Sequence, residues 1–189
     1  LISFVMGMEG VDFVEALRIL APKAGVMLKR QDPKITSKRN KLLDIMDLSS
    51  KYYYKVLIDT DKAKFAREYL KDRGMLDETI DEWRIGYSFD AWDNLSNFLK
   101  KKGFNDAELF AAGVVSRSSS GQKYFDRFRD RVMFPISDVN GNVVAFSARI
   151  NPIKEKTEKM GKYINSPQTF LYDKSKILFG LDRARTEIR

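Results

Sequence analysis

The sequence contains neither cysteine nor histidine. Disulfide bonds, zinc sites built from cysteine and histidine, cysteine nucleophiles and histidine acid–base catalysis are therefore excluded within these residues. Long apolar runs are missing too, since no segment approaches the ~20 apolar residues that a membrane-spanning helix requires. The opening LISFVM lacks a basic leader and a cleavage site. We predict a cytoplasmic protein without membrane contact, whose chemistry rests on carboxylates, lysine, arginine or hydroxyl groups.

Positive charge is present in excess. The 34 lysines and arginines against 26 aspartates and glutamates give a net charge of +8 and an isoelectric point near 9.5. This sign favours phosphate-rich partners, that is, nucleic acid or nucleotides. Hydrophobic residues make up 43% of the 189 residues, enough to bury a core. The chain opens inside an apolar run and not on Met, which predicts a fragment of a longer protein.

The N-terminal residues predict a helix. Asp12 and Glu15 have the spacing of a capping box, and apolar residues then recur at helical spacing. Pro22 and Gly25 should kink or end this helix.

A polar stretch and a longer helix follow. Residues 29–41 hold six basic residues and Pro33, and we interpret them as a linker that is either a solvated connector or a phosphate contact. A helix is predicted over residues 37–57. Its buried face should carry Leu42, Met46, Ser49, Tyr53 and Val56.

Two segments in the middle of the chain echo each other. Residues 69–86, YLKDRGMLDETIDEWRIG, and residues 98–115, FLKKKGFNDAELFAAGVV, align without gaps. Each predicts a helix, a glycine turn, a short helix and a strand. We expect Trp83 and Trp92 in the core, because apolar neighbours surround them at helical spacing. Arg73 precedes a glycine turn, where it either caps the helix or contacts a ligand.

Strand-like alternation dominates the next part. The stretch KYFDRFRDRVMFPISD alternates basic with apolar side chains, and DVNGN supplies an Asn-Gly hairpin turn before the partner strand VVAFSARI. In an extended segment Arg127, Arg129 and Arg131 point to one face, where they would bind phosphates. The alternative is that these arginines form ion pairs with the interleaved Asp126 and Asp130.

A stiff corner is predicted at residues 162–169, KYINSPQT. Pro167 keeps Ser166 out of the helical region and removes a backbone donor, while Asn165 and Ser166 are turn formers. A strand therefore ends abruptly beside Lys162. Such a corner holds a charge in place without reordering a loop.

These motifs resemble the core of bacterial DnaG-type DNA primases. The resemblance rests on DRFRDRVMFPISDVNGNVVAFSARI and KYINSPQTFLYDKSKILFGLDRAR, and upstream on YLKDRGM and IGYSFDAWDNL. VDFVEALRILAPKAGV resembles the helical tail after the family's zinc-binding module, so almost the whole chain is covered. The resemblance implies an α+β fold with four parts. Residues 1–30 would be the tail of a zinc-binding module and residues 31–41 a basic linker. Residues 42–175 would form a basic N-terminal subdomain of the catalytic core, and residues 176–189 the beginning of a TOPRIM domain.

The resemblance also implies site residues. Four basic residues match positions that are functionally important in the family, and we predict catalytic roles for them: Arg73, Arg149, Lys162 and Lys174. Contacts with nucleic acid or nucleotides are predicted for Lys123, Arg127, Arg129, Arg131, Tyr163 and Asn165. The chain departs from the family pattern in that Ser147 and Ala148 replace two glycines, and Asp173 replaces a histidine. None of these changes removes a charged contact.

A DNA primase makes short RNA primers for DNA replication. The resemblance implies this activity for the full-length parent, and we expect the fragment alone to be inactive. Single-stranded template and ribonucleoside triphosphates would bind here, and the replicative helicase and single-strand-binding protein would be partners. Mg²⁺ or Mn²⁺ and Zn²⁺ would belong to the parent, with no metal bound by residues of this chain. One alternative is a non-catalytic single-stranded nucleic-acid-binding module. Another, an enzyme acting on phosphorylated small molecules, should show a glycine-rich phosphate loop, and none is visible.

Overall fold

The structure is a computed structural model that describes residues 1–11, 13–26, 33–155, 161–184 and 188. The chain divides into two compact units, Leu1–Ser37 and Lys38–Arg189. The larger unit mixes helices with antiparallel strands, which confirms the predicted α+β class. Within the described residues, every helix is too short or too polar to cross a membrane.

The smaller unit contains two helices, α1 (Ile2–Glu9) and α2 (Phe13–Lys23), which pack against each other. The second is the helix that the apolar spacing predicts, and it includes Pro22 in its last turn. The capping role predicted for Asp12 lies outside the described residues.

A 27-residue helix, α3 (Pro33–Asp59), contains the predicted helix 37–57 and extends it at both ends. Residues 33–41, assigned above to a linker, therefore lie in this helix, whereas residues 31–32 lie outside the described residues. Pro33 fits the first helical position because its missing N–H has no partner to lose there. The predicted face is confirmed, since each of its members is at most 5% exposed: Leu42, Met46, Ser49, Tyr53 and Val56.

The two echoing segments fold as predicted. A short 3₁₀ turn at Asp61–Ala63 precedes the first. The first segment leads through α4 (Lys64–Asp72), a turn at Gly74, α5 (Asp77–Glu82) and β1 (Gly86–Ser88). The second leads through α6 (Asn94–Lys101), a turn at Gly103, α7 (Asp106–Ala112) and β2 (Val115–Arg117). Both glycines have a positive φ, 78° and 94°, a conformation that glycine adopts without steric cost.

A capping box holds the start of α7. The Asn105 side chain accepts a hydrogen bond from the Glu108 amide at 3.0 Å, and the Glu108 carboxylate accepts one from the Asn105 amide at 3.0 Å. We expect Asn105→Ala to lower the free energy of unfolding by about 1 kcal/mol, because a helix amide loses its acceptor. Denaturant unfolding measures this change. Asn105→Asp keeps an acceptor and is the control, and an equal loss in both variants would contradict the capping role.

The sheet of the larger unit is antiparallel. Its strands, in spatial order, are β1, β4 (Arg131–Ser137), β5 (Val143–Ile150) and β6 (Tyr163–Asn165). A separate two-stranded sheet pairs β2 with β3 (Tyr124–Asp126). Two short helices complete the described elements, α8 (Pro152–Glu155) and α9 (Leu181–Ala184).

The Asn-Gly turn forms the predicted hairpin between β4 and β5. The Asp138 amide donates to the Asn142 carbonyl at 2.9 Å, and Gly141 has a φ of 80°. The register then places Arg149 of β5 opposite Val132 of β4 on one side and Tyr163 of β6 on the other.

The stretch that was expected to be one strand is interrupted by a turn. β3 ends at Asp126 and β4 begins at Arg131, with Asp130 between them in the left-handed region at a φ of 51°. The alternation that would place Arg127, Arg129 and Arg131 on one strand face does not continue through this turn. The prediction of a single arginine face is therefore wrong.

A buried carboxylate holds the turn in place. Asp130 is 5% exposed and accepts hydrogen bonds from the Tyr87 hydroxyl at 2.5 Å and from Asn151 Nδ2 at 3.2 Å. Lys154 Nζ lies 3.2 Å from the same carboxylate. The Asp130 backbone amide also donates to the Phe89 carbonyl at 3.1 Å. These partners lie far from Asp130 in sequence, which explains why local alternation does not predict the turn.

The core of the larger unit surrounds Tyr53, Phe128 and Phe146, which are each at most 2% exposed. Trp83 is partly buried and stacks on Phe179, with ring centroids 5.3 Å apart. Trp92 is 61% exposed, so its predicted place in the core is wrong. It lies in the loop between β1 and α6, where helical spacing does not apply.

Candidate nucleic-acid interface

An arginine stacked on aromatic rings forms one part of the candidate site. The Arg129 guanidinium carbon lies 4.1 Å from the ring centroid of Trp92 and 5.3 Å from that of Phe125. The two rings meet edge to face at 5.3 Å. We call these three residues the Trp92 platform. Because the indole is largely exposed, the platform offers a π surface beside a cation, a combination on which bases of any sequence can stack.

Asp126 fixes the Trp92 platform to the fold. Its amide donates to the Trp92 carbonyl at 2.7 Å, and its carbonyl accepts from Arg129 Nη1 at 2.5 Å. Its buried carboxylate accepts from the amides of Leu95 and Ser96, at 2.7 and 2.9 Å, at the start of α6. Burial raises the pKa of this carboxyl, and the two amides act in the opposite direction. The platform is thus held before any ligand arrives.

Arg127 connects the turn before β4 to β6. Its Nη2 donates to the Asn165 carbonyl at 3.2 Å, and its Nη1 lies 3.5 Å from Ser116 Oγ. Burial lowers the pKa of Arg127, but an arginine starts from so high a value that the guanidinium stays charged at neutral pH. Two residues predicted to contact nucleic acid, Arg127 and Asn165, are therefore neighbours.

Arg131 is only 2% exposed. Its Nη1 donates to the Gly161 carbonyl at 3.1 Å and lies 3.4 Å from the Ala148 carbonyl. Burial lowers the pKa of Arg131. Arg131 therefore ties the chain just before β6 to β5, and its buried position does not suit the direct phosphate contact that the strand pattern indicates.

Arg149 lies among aromatic rings on β5, an inner strand of the sheet. Its guanidinium carbon is 4.9 Å from the ring centroid of Tyr69 and 5.8 Å from that of Tyr163. Its Nη1 donates to the Ile150 carbonyl at 2.7 Å, and the residue is 7% exposed. Two of the predicted site residues, Arg149 and Tyr163, are in contact.

The KYINSPQT corner is stiff, as predicted. Ser166 is 1% exposed, its hydroxyl accepts from the Phe146 amide at 2.9 Å, and its amide donates to the Phe146 carbonyl at 2.9 Å. At the other end the Lys162 carbonyl accepts from the Ile150 amide at 2.9 Å, while the Lys162 side chain is exposed. The corner therefore presents Lys162 beside Arg149 on a backbone that is bonded at both ends.

Three further predicted basic residues are exposed and lie on separate segments. Arg73 directly follows α4, and its amide donates to the Tyr69 carbonyl at 3.1 Å. Lys123 directly precedes β3, and Lys174 lies in a turn after the corner. Across the described ranges of the chain, no three acidic side chains are placed to hold a metal ion.

The family model for the DNA primase catalytic core, N-terminal domain, matches residues 53–185. The chain belongs to this primase family. The match confirms the resemblance drawn from the motifs, and its range contains the Trp92 platform, Arg149 and Lys162.

Curated and solved primases resemble the chain over most of its length. The DNA primase of Halalkalibacterium halodurans is 38% identical over 194 residues, which cover 99% of this chain and 31% of that protein. A structure of the DnaG primase catalytic domain bound to ssDNA is 34% identical with a TM-score of 0.69, covering 80% of this chain and 45% of that one. The Aquifex aeolicus primase, solved with its zinc-binding and RNA polymerase domains, is 29% identical with a TM-score of 0.70, covering 99% and 43%. The chain thus spans about a third of the length of its curated relatives.

Sequence reasoning missed two residues of this candidate interface, Trp92 and Tyr69. The turn-forming residues around Trp92, namely Asp90, Asp93 and Asn94, indicate a loop and were a usable signal for exposure. No comparable signal marks Tyr69, because its contact with Arg149 joins residues that are far apart in sequence.

Proposed function

We propose that this chain is the part of a DNA primase that holds single-stranded template DNA while ribonucleotides are joined into a primer. The observation that carries the proposal is the Trp92 platform, in which an exposed indole and a stacked arginine offer base and phosphate contacts together. Arg127 and Asn165 extend this polar surface toward β6. The solved DnaG catalytic domain bound to ssDNA supports this assignment.

We further propose that the basic residues near β6 offset the charge of the incoming triphosphate. Lys162 is the principal candidate because its side chain is exposed on a stiff corner. Arg149 lies next to it with its guanidinium already oriented, and Arg73, Lys174 and Lys123 would add charge around them. Cations that are preorganised in this way stabilise charge that develops during phosphoryl transfer. Arg131 would support β6 from inside the fold.

The remaining components would come from the full-length protein. Mg²⁺ or Mn²⁺ would bind to carboxylates elsewhere in the parent, since the described residues offer no such cluster. Zn²⁺ would bind to a module of the kind named in the Aquifex structure, with residues 1–30 as its tail and residues 176–189 as the start of the next domain. Ribonucleoside triphosphates, the replicative helicase and the single-strand-binding protein would be partners in the cytoplasm.

Template binding by this chain should depend steeply on salt. We expect a single-stranded oligonucleotide to bind with little sequence preference. In a plot of the logarithm of the binding constant against the logarithm of the salt concentration, the slope should be roughly −2 to −4. This slope corresponds to a few phosphate contacts at about −0.7 each. Fluorescence anisotropy titrations of a labelled oligonucleotide at several salt concentrations measure the slope.

Two variants control this measurement. Arg129→Gln should make the slope shallower by about 0.7, since one phosphate contact is lost. Lys101→Gln, at an exposed lysine in the last turn of α6, should leave the slope unchanged. A salt-independent affinity would refute the proposal that basic side chains bind the template phosphates.

A further inference from the structure

We propose that Tyr69 is a positioning residue that holds the Arg149 guanidinium in the orientation in which it meets nucleic-acid or nucleotide phosphates. This inference rests on the proposed function, because it assigns a role to Arg149 at that site. Tyr69 itself would touch neither template nor nucleotide. It would act through Arg149.

The contacts of Arg149 show what orients its side chain. The hydrogen bond from Arg149 Nη1 to the Ile150 carbonyl, at 2.7 Å, holds one nitrogen of the guanidinium in place. The ring of Tyr69, with its centroid 4.9 Å from the guanidinium carbon, supplies a second constraint from a different element. The other aromatic neighbour, Tyr163, is 55% exposed and so less firmly held. Tyr69 is thus the better anchored of the two rings.

α4 anchors Tyr69 in turn. Its neighbours in the helix, Ala66 and Leu70, are at most 1% exposed, and the Tyr69 ring packs at the edge of the same apolar cluster. The Tyr69 carbonyl also accepts the Arg73 amide at 3.1 Å. That bond belongs to the last turn of α4, whereas the ring of Tyr69 faces Arg149.

An aromatic ring suits this role better than a carboxylate would. The π face of tyrosine attracts the guanidinium, and this contact adds no negative charge to the site. A hydroxyl is not required for that attraction. Tyrosine and phenylalanine should therefore serve almost equally well at position 69, and an aliphatic side chain should not.

The first arm of the test measures single-stranded oligonucleotide binding by anisotropy for the unmodified chain, Tyr69→Phe, Tyr69→Leu, Arg149→Met, and Tyr69→Leu combined with Arg149→Met. We expect Tyr69→Phe to bind within about twofold of the unmodified chain and Tyr69→Leu to bind about 3- to 10-fold more weakly, within the range of a cation–π contact. In the Arg149→Met background, Tyr69→Leu should have no further effect, because its influence passes through the missing guanidinium.

The second arm observes Arg149 directly and needs only the unmodified chain and the conservative variant Tyr69→Phe. In the unmodified chain, NMR should show nuclear Overhauser contacts between the Tyr69 ring protons and Arg149 Hδ, and a ring-current shift of the Arg149 Nε–H resonance that Tyr69→Phe retains. Absence of these contacts would overturn the proposal. So would an equal loss of affinity from Tyr69→Leu with or without Arg149.

The two proposals fail in different ways. If the unmodified chain does not bind the oligonucleotide, both the proposed function and the positioning role of Tyr69 are refuted. If the unmodified chain binds and Tyr69→Leu binds equally well, the role of Tyr69 alone is overturned.

Discussion

A full-length primase that carries this chain is expected to lose primer synthesis by about 100- to 1,000-fold when Lys162 is replaced by alanine, the range seen when one preorganised charge-stabilising group is removed from an active site. The exposed Lys162 side chain projects from a corner whose backbone is bonded on both sides, so its charge is in place before the triphosphate arrives. Primer synthesis on a single-stranded template, measured with labelled ribonucleotides, gives the effect.

Stability separates this role from a structural one. Because Lys162 is exposed, Lys162→Ala should change the free energy of unfolding by no more than about 0.5 kcal/mol. Lys101→Ala, which removes another exposed lysine, is the matched control and should retain activity. Arg149 is a less suitable position for this test, since it is buried among aromatic rings and its replacement would alter packing as well as charge. Full primer synthesis by Lys162→Ala would remove Lys162 from the site.

Trp92→Ala is expected to weaken single-stranded DNA binding by this chain about 5- to 150-fold, which corresponds to the about 1–3 kcal/mol that one stacked base contributes. The indole is 61% exposed and lies beside the Arg129 guanidinium, so its removal takes away both a stacking surface and the support of a cation. Anisotropy titration at a fixed, low salt concentration measures the loss.

Two variants make this result specific. Trp92→Phe keeps a smaller ring and should recover most of the affinity, while Phe13→Ala removes an exposed ring of α2 and should have no effect. In a Trp83→Phe background, Trp92 is the remaining tryptophan, and its fluorescence should be quenched when template binds. Unchanged affinity in Trp92→Ala, together with unquenched fluorescence, would exclude base stacking at this position.

Features that depend on near neighbours could be predicted from the sequence. The buried face of α3, the glycine turns at Gly74 and Gly103 and the hairpin at Gly141 all follow from side-chain spacing and backbone preference within a few residues. Such features form wherever these residues occur together, which is why they needed no knowledge of the fold.

Features set by distant contacts were missed. The turn at Asp130 depends on Tyr87 and Asn151, which lie 43 and 21 residues away in sequence. Likewise, Gly86 allows α3 to approach β1, because a Cβ there would lie 2.6 Å from the Tyr53 backbone, and nothing near Gly86 in the sequence indicates that approach. Propensity and spacing report neighbours along the chain, and these contacts join neighbours in space.

The sequence by itself determined the basic charge of this protein, its local helices and turns, and, through its motifs, its membership of the primase family. Only the tertiary structure decided what each cation does. Arg131 connects two segments inside the fold. The Arg149 guanidinium is oriented among tyrosine rings, and Arg129 forms one face of the exposed Trp92 platform. The physical reason is that an arginine's availability to phosphate depends on how far it is desolvated and on which acceptors and rings surround it. Residues distant in the chain supply part of these surroundings, such as Trp92 for Arg129 and Tyr69 for Arg149.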